Sequence, residues 1–184
     1  MIHPLHFEND RYIIHTFLPS DLLRFDAIAE EIYTILSDDY TLRYIPAKRM
    51  TNRKQAVEFL QNMILNFHTG RNYLHFITDK RLGKIVGLVD LISPEMAMEH
   101  YQISRYPFFI EFYLGSFSSG CYLMTEILPV LVNQLLGQGI INLAAVVNRN
   151  NIAAKKVLKK ASFIKKHPFD DFQDLYEVDI RLTA

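Results

Sequence analysis

Cysteine is nearly absent from this sequence: Cys121 is the only one in 184 residues. A lone thiol excludes an internal disulfide framework and a cysteine-based metal cluster. It suits a reducing compartment, so a cytoplasmic location is expected. Net charge is missing too. Twenty Lys and Arg balance twenty Asp and Glu, which leaves no global field to draw the chain to nucleic acid or to an anionic membrane. No window approaches the ~18 apolar residues of a membrane span, and Met1 to His6 lack the basic stretch and apolar run of an export signal. Linkers, repeats and low-complexity tracts are also lacking. What is present is ordinary globular composition, 49% hydrophobic and 22% charged, in a length that fits one domain over residues 1–184.

Arg11 to Phe17 is short, β-branched and aromatic, and Leu18-Pro19-Ser20 ends it, which predicts the first strand. Ser20 is the expected cap of an amphipathic helix running to about Ser37, with Phe25, Ile28, Ala29, Ile32, Tyr33 and Leu36 on its apolar face. Residues 38–48 read as irregular around Pro46. Thr51 is then the expected cap of a helix with the stripe Ala56, Phe59, Leu60, Met63, Ile64 and Phe67, stopped by Gly70. That stripe is read as core. Tyr73 to Asp79 and Lys84 to Ile92 are β-type runs joined by Lys80-Arg81-Leu82-Gly83, an antiparallel hairpin. The long connector 93–107 either shapes a substrate pocket or merely crosses the surface. Phe163 to Lys166 and Leu175 to Leu182 are two closing strands.

Between hairpin and closing strands lies the stretch around which the chain is organised. Phe108 to Leu114 is an apolar strand, followed by the small-residue turn Gly115-Ser116-Phe117-Ser118-Ser119-Gly120. A helix from Cys121 to Leu136 follows, with a bend expected at Pro129, which has no N–H for the Thr125 carbonyl. Gly137-Gln138-Gly139 stops it, Ile140 to Val147 is a second apolar strand, and another helix starts near Asn151. A loop of small residues ending on a helix N-terminus offers unpaired N–H groups and the positive end of the helix dipole. The reading is a pyrophosphate-bearing cofactor, with a ligand-free strand-to-helix turn as the alternative.

From Asn148 to Phe163 the sequence resembles the last signature of the GCN5-related N-acetyltransferases (GNAT), most nearly the branch that acetylates ribosomal-protein N-termini. Asn151, Val157, Leu158, Lys160 and Phe163 match that signature at the right spacing, whereas Ala154 and Ser162 do not. Ile110-Glu111-Phe112-Tyr113-Leu114 looks like the family's fourth strand, and Gly120 to Glu126 like its pyrophosphate loop. Thr41-Leu42-Arg43-Tyr44-Ile45-Pro46 and the helix from Gln55 to Met63 also resemble that branch. The resemblance implies an α/β fold of GNAT type: a mixed, mostly antiparallel sheet of six or seven strands with helices on both faces.

It also implies a chemistry: transfer of an acetyl group from acetyl-CoA to a primary amine, a protein N-terminus or a small molecule, by direct attack and without a metal. The fourth and fifth strands of the family splay, and the pantetheine arm would pair with backbone at Phe112 and Leu114. Pyrophosphate would sit on amides of Phe117, Ser118, Ser119, Gly120, Cys121 and Tyr122. Tyr122 departs from the family's second glycine, and a Cβ there costs energy if φ is positive. Asn151 would reach the pantetheine amides or act as an N-cap, and Lys155 would meet the adenosine phosphates or lie on a solvated face. The Leu114 amide would be the oxyanion donor. Hydroxyls used by relatives are replaced by Ala154 and Leu158, so the remaining acid–base candidates are Glu111, Tyr113 and Asp90. Strand alternation puts Glu111 and Tyr113 on one face. Cys121 has no adjacent histidine in the motif and is not read as a nucleophile. A monomer or homodimer is expected. A degenerate member that binds acyl-CoA or another ligand without transferring the group is the alternative.

Overall fold

In the computed structural model, residues 2–101, 105–118 and 122–180 are described. Eight strands form one sheet in the order β1-β2-β3-β4-β5-β6-β8-β7. They are β1 (Phe7–Glu8), β2 (Tyr12–His15), β3 (Asn72–Asp79), β4 (Lys84–Ile92), β5 (Phe108–Leu114), β6 (Leu143–Asn148), β7 (Phe163–Pro168) and β8 (Gln173–Val178). Every neighbouring pair is antiparallel except β5 and β6. The expected mixed, mostly antiparallel sheet is therefore present, with eight strands rather than six or seven. The added edge strand, β1, pairs through two residues and is too short for any periodicity to reveal.

Helices α1 (Phe25–Ser37) and α3 (Arg53–Thr69) cover one face of the sheet, and α5 (Leu123–Gly137) and α6 (Ile152–Lys160) the other. The α3 stripe is core, as expected: Ala56 and Leu60 are buried, with Phe59, Met63 and Ile64 packed alongside. Gly70 ends α3 in the left-handed region at φ 77°. Its cap is Asn52, whose side chain accepts from the Gln55 amide, so Thr51 is not the cap. Thr51 instead donates its own N–H to the Gln55 side chain at 2.7 Å. Ser20 does not cap a long helix either, because residues Pro19–Arg24 form a separate 3-10 turn in which Asp21 accepts from the Leu18 amide at 2.8 Å.

Two short helices occupy stretches read as irregular: α2 (Asp39–Leu42), and α4 (Pro94–His100) within the long connector. The signal for α4 was Ser93-Pro94, a capping serine followed by proline at the first helical position. α5 runs through Pro129 and begins at Leu123, two residues later than expected. β8 ends at Val178, and the last positions of the strand expected to reach Leu182 lie outside the described residues.

The N-terminal segment is held by side chains rather than by a strand ladder. Gln138, the C-cap of α5, and Gln134, one turn before it, accept from the amides of His3 and His6, at 2.7 and 3.0 Å. Leu5, buried between them, donates its N–H to Nε2 of the fully buried His75 at 3.0 Å, and Nδ1 of that ring contacts the Tyr73 carbonyl at 2.8 Å. A carbonyl on one ring nitrogen and an N–H on the other fix the neutral tautomer with its proton on Nδ1. Burial pushes the His75 pKa down from 6.5 to about 4. The unfolded chain takes up this proton first, so the stabilisation is complete above pH 6.5 and is lost as pH falls through 4. Denaturant unfolding should therefore register a loss of up to about 3 kcal/mol across that window. His75→Gln should flatten the slope; an unchanged slope would assign the loss to other groups.

Candidate functional site

β5 and β6 are joined at one end only. Phe108 pairs with Leu143 and Phe109 with Ala144, after which β5 continues to Leu114 and β6 to Asn148 without further pairing. The closed end is clamped by a small apolar cluster of Ile92, Ala97, Phe109, Ala144 and Leu175. Beyond it the strands diverge around a cavity of about 850 Å³.

The backbone direction at the open end follows from two hydrogen bonds. Gly115 donates to the Val86 carbonyl across the β4 side at 3.0 Å, and Phe108 donates to the Asn142 carbonyl on the β6 side at 3.0 Å. In an antiparallel ladder successive residues alternate in which neighbour they bond. Phe112 and Leu114, even-numbered like Phe108, therefore turn their N–H and C=O groups from β4 toward the cleft. Gly87 lets the strands approach there, since a Cβ on it would lie 2.6 Å from the Leu114 side chain and 2.8 Å from the Tyr113 carbonyl. The Leu114 carbonyl accepts from the Thr41 hydroxyl at 2.8 Å, which ties the segment after α1 to the cleft mouth.

On the α5 and α6 side, Asn151 caps α6, its Oδ1 accepting from the Ala154 amide at 3.0 Å. Its Nδ2 has no partner among the described residues, and the residue lines the cavity. Lys155 Nζ donates to the Arg149 carbonyl at 2.7 Å, and it is Lys156 that lines the cavity. Ala154 and Leu158 are buried in the apolar core. At the other wall, the Ser118 amide is committed to the Gly115 carbonyl at 2.8 Å and Phe117 is exposed. Ser119, Gly120 and Cys121 lie outside the described residues. Tyr122 is the N-cap of α5 with φ 55°, and the residue is 83% exposed, so the ring stands at the rim rather than filling the gap.

The opposite face of β5 is ionic. Glu111 and Tyr113 share that face as alternation requires. The Tyr113 hydroxyl donates to Glu111 Oε2, and Lys48 Nζ reaches the same oxygen at 2.8 Å. Lys48 was not expected at the site; 63 residues separate it from Glu111, and no local pattern announces such a pair. Burial pulls the Lys48 pKa down, but the Glu111 carboxylate outweighs it and the net shift is upward. Burial and the neighbouring Glu111 charge push Tyr113 well above the usual phenol range, so its hydroxyl stays a donor. Asp90 faces Glu111 across the β4/β5 ladder, and burial followed by the Glu111 charge raises its pKa to about 7. Arg43 lines the cavity, its guanidinium 4.4 Å from the Tyr40 ring centre and 4.7 Å from that of Tyr44. No group of His, Cys, Asp and Glu suited to a metal occurs among the described residues, and no helix there is long and apolar enough to cross a membrane.

Two diverging parallel strands with the N-terminus of α5 at their open end bound this cleft. Residues 21–164 match the family described as acetyltransferase (GNAT) domain, and the chain belongs to that family. Solved structures of the same fold include the ribosomal-protein-S5-alanine acetyltransferase of Vibrio fischeri, with TM-score 0.71, 16% identity and 94% of each chain covered. Another is the microcin C7 self-immunity acetyltransferase in complex with acetyl-CoA and AMP, with TM-score 0.69, 16% identity and again 94% of each chain. A third is a ribosomal L7/L12 α-N-protein acetyltransferase in complex with coenzyme A, with TM-score 0.65, 14% identity, 94% of this chain and 96% of that one. A sequence search of curated proteins finds no match.

The left-handed Tyr122 gives a direct test of local strain. A non-glycine residue there costs about 1–2 kcal/mol, partly offset because glycine has more freedom to lose on folding. Tyr122→Gly should raise stability by up to about 1 kcal/mol in thermal unfolding. A lowered melting temperature would mean that ring contacts hold the residue in place.

Proposed function

We propose that residues 1–184 form a single N-acetyltransferase domain that moves an acetyl group from acetyl-CoA to a primary amine, on a protein N-terminus or a small molecule, within a ternary complex. The observation that carries this reading is the wedge between β5 and β6, into which Phe112 turns its N–H and C=O and Leu114 its N–H. The wedge fits the ligand chemically: pantetheine carries amides that can pair with a strand edge. Asn151 keeps a free amide donor on the same wall, and the Leu123 and Met124 amides, ahead of the Thr125 and Glu126 amides that bond the Tyr122 carbonyl, suit a diphosphate.

Acetyl-CoA, when bound, supplies the acyl group as a thioester. The Leu114 N–H serves as donor to an acyl oxygen that gains negative charge as the amine adds. Glu111, held by Lys48 and Tyr113, accepts the ammonium proton through a water. An α-amino group with a pKa of about 8 gives up that proton more readily than a lysine at ~10.4, which favours N-terminal acceptors. Alanine and leucine at 154 and 158 offer no hydroxyl acid, so the departing sulfur takes its proton from solvent.

Calorimetric titration with acetyl-CoA, followed by thiol release with a panel of amines, tests the reading. Binding with release supports transfer, binding alone supports a non-catalytic acyl-CoA binder, and neither overturns both. Glu111→Gln should lower turnover about 10²-fold with binding of acetyl-CoA retained; full activity removes it as base. Asn151→Ser keeps a helix cap but deletes the amide donor. Affinity for coenzyme A should weaken by about 1–3 kcal/mol, and an unchanged affinity rules out the contact.

A further inference from the structure

Asp90 is a buried carboxyl that this chemistry leaves unused. It is only 5% exposed and lies directly opposite Glu111 in the β4/β5 register. Nδ2 of Asn72, on β3, donates to Asp90 Oδ2 at 2.9 Å. Asp90 Oδ1 and Asn72 Oδ1 are both buried and have no hydrogen-bond partner among the described residues. Two side chains already joined by one bond thus present a leftover acceptor each. A carboxylate cannot repair this, because it only accepts; a carboxylic acid can, because its O–H donates.

Charge balance leads to the same place. Lys48 is bonded to Glu111 at 2.8 Å, and that pair is neutral as a unit. An ionised Asp90 would add an uncompensated negative charge under it, opposite a like charge on the next strand, which is unfavourable both as a cross-strand pair and as a buried ion. The polar groups around Asp90 are Asn72 from β3, Glu111 and Tyr113 from β5, Lys48 after α2 and Tyr101 after α4.

We propose that Asp90 is carried as the un-ionised acid in a two-bond pair with the Asn72 amide, and that it acts as a positioning residue. In this state Glu111 is, among the described residues, the one negative charge in the cluster with Lys48 and Tyr113, bonded to both and available to take a proton. The catalytic half rests on acetyl transfer with Glu111 as base; the protonation half does not. The upward shift of Asp90 to about 7 agrees with it. A group whose pKa is raised by folding stabilises at low pH, and that contribution is lost as pH rises through the folded value. Ionisation of Asp90 above about pH 7 then places a second charge beside Glu111.

Asp90→Asn is the test, since an amide at 90 offers the same donor to Asn72 Oδ1 and the same acceptor to Asn72 Nδ2. Infrared difference spectra of the native protein between pH 5 and pH 9 should contain the carbonyl stretch of a carboxylic acid that titrates near pH 7 and is absent from the variant. Thermal unfolding at pH 8 should find the variant as stable as the native protein or more so, with the gap closing toward pH 5. With an amine acceptor, the pH profile of kcat/KM should lose a limb near pH 7 in the variant, with affinity for acetyl-CoA unchanged. No acid band together with a destabilised variant at pH 8 would mean an ionised Asp90 and overturn the proposal. No acid band with a tolerated variant would assign the leftover acceptors to a buried water and overturn it as well. Absence of acetyl transfer with every amine would remove the catalytic half while leaving the spectroscopic and unfolding results to decide the rest.

Discussion

Backbone polar groups must be paired or solvated, and that requirement shapes this molecule where β5 leaves β6. Two residue pairs hold the strands at one end, and beyond them the backbone of Phe112 and the Leu114 N–H face no paired strand. Such a gap collapses unless its walls are braced from outside. Here the closed end is wedged by Phe109, Ala144 and Leu175, while α5 and α6 press on one face of the sheet and α1 and α3 on the other. The apolar core keeps the strands apart as much as it holds the sheet together.

The two sides of β5 do different work. Ile110, Phe112 and Leu114 belong with the apolar α5 and α6 side, whereas Glu111 and Tyr113 carry the ionic cluster with Lys48. The period-2 pleat thus separates the apolar packing face of β5 from its ionic one. Lys48 reaches Glu111 from a short turn after α2, and Thr41, within α2, bonds the Leu114 carbonyl. Residues 41–48 are therefore tethered both to the backbone edge of β5 and to its ionic face.

Local chemistry made much of this legible in the sequence. The Lys80 to Gly83 hairpin, the Gly70 stop, the Asn151 cap and the shared face of Glu111 and Tyr113 each follow from one residue type at one spacing. Tyr122 in place of glycine was readable as strain, and its φ of 55° is that strain. Partners brought together across the chain were not legible. Lys48 with Glu111, Asn72 with Asp90, and His75 with Leu5 are separated by 63, 18 and 70 residues, and nothing local distinguishes such residues from solvated or ordinary core ones. Competing caps were misassigned for a related reason: Thr51 and Asn52 are both good caps, and only the geometry of the Gln55 contacts separates them.

Arg149 carries a consequence for the far rim of the cleft. Its guanidinium spans the Asp170 and Asp171 carbonyls at 2.7 Å each and the Asp174 carboxylate at 2.9 Å, two residues before the Asn151 cap. The β7/β8 hairpin, whose Asp170, Phe172 and Gln173 overlook the cavity, is thereby fastened to the strand end beneath it. An incoming molecule meets a rim already in shape, so little ordering entropy is lost on association. Lysine at 149, with a single point charge on a flexible stem, could not brace three oxygens at once, and the hairpin would become a loose flap over the entrance.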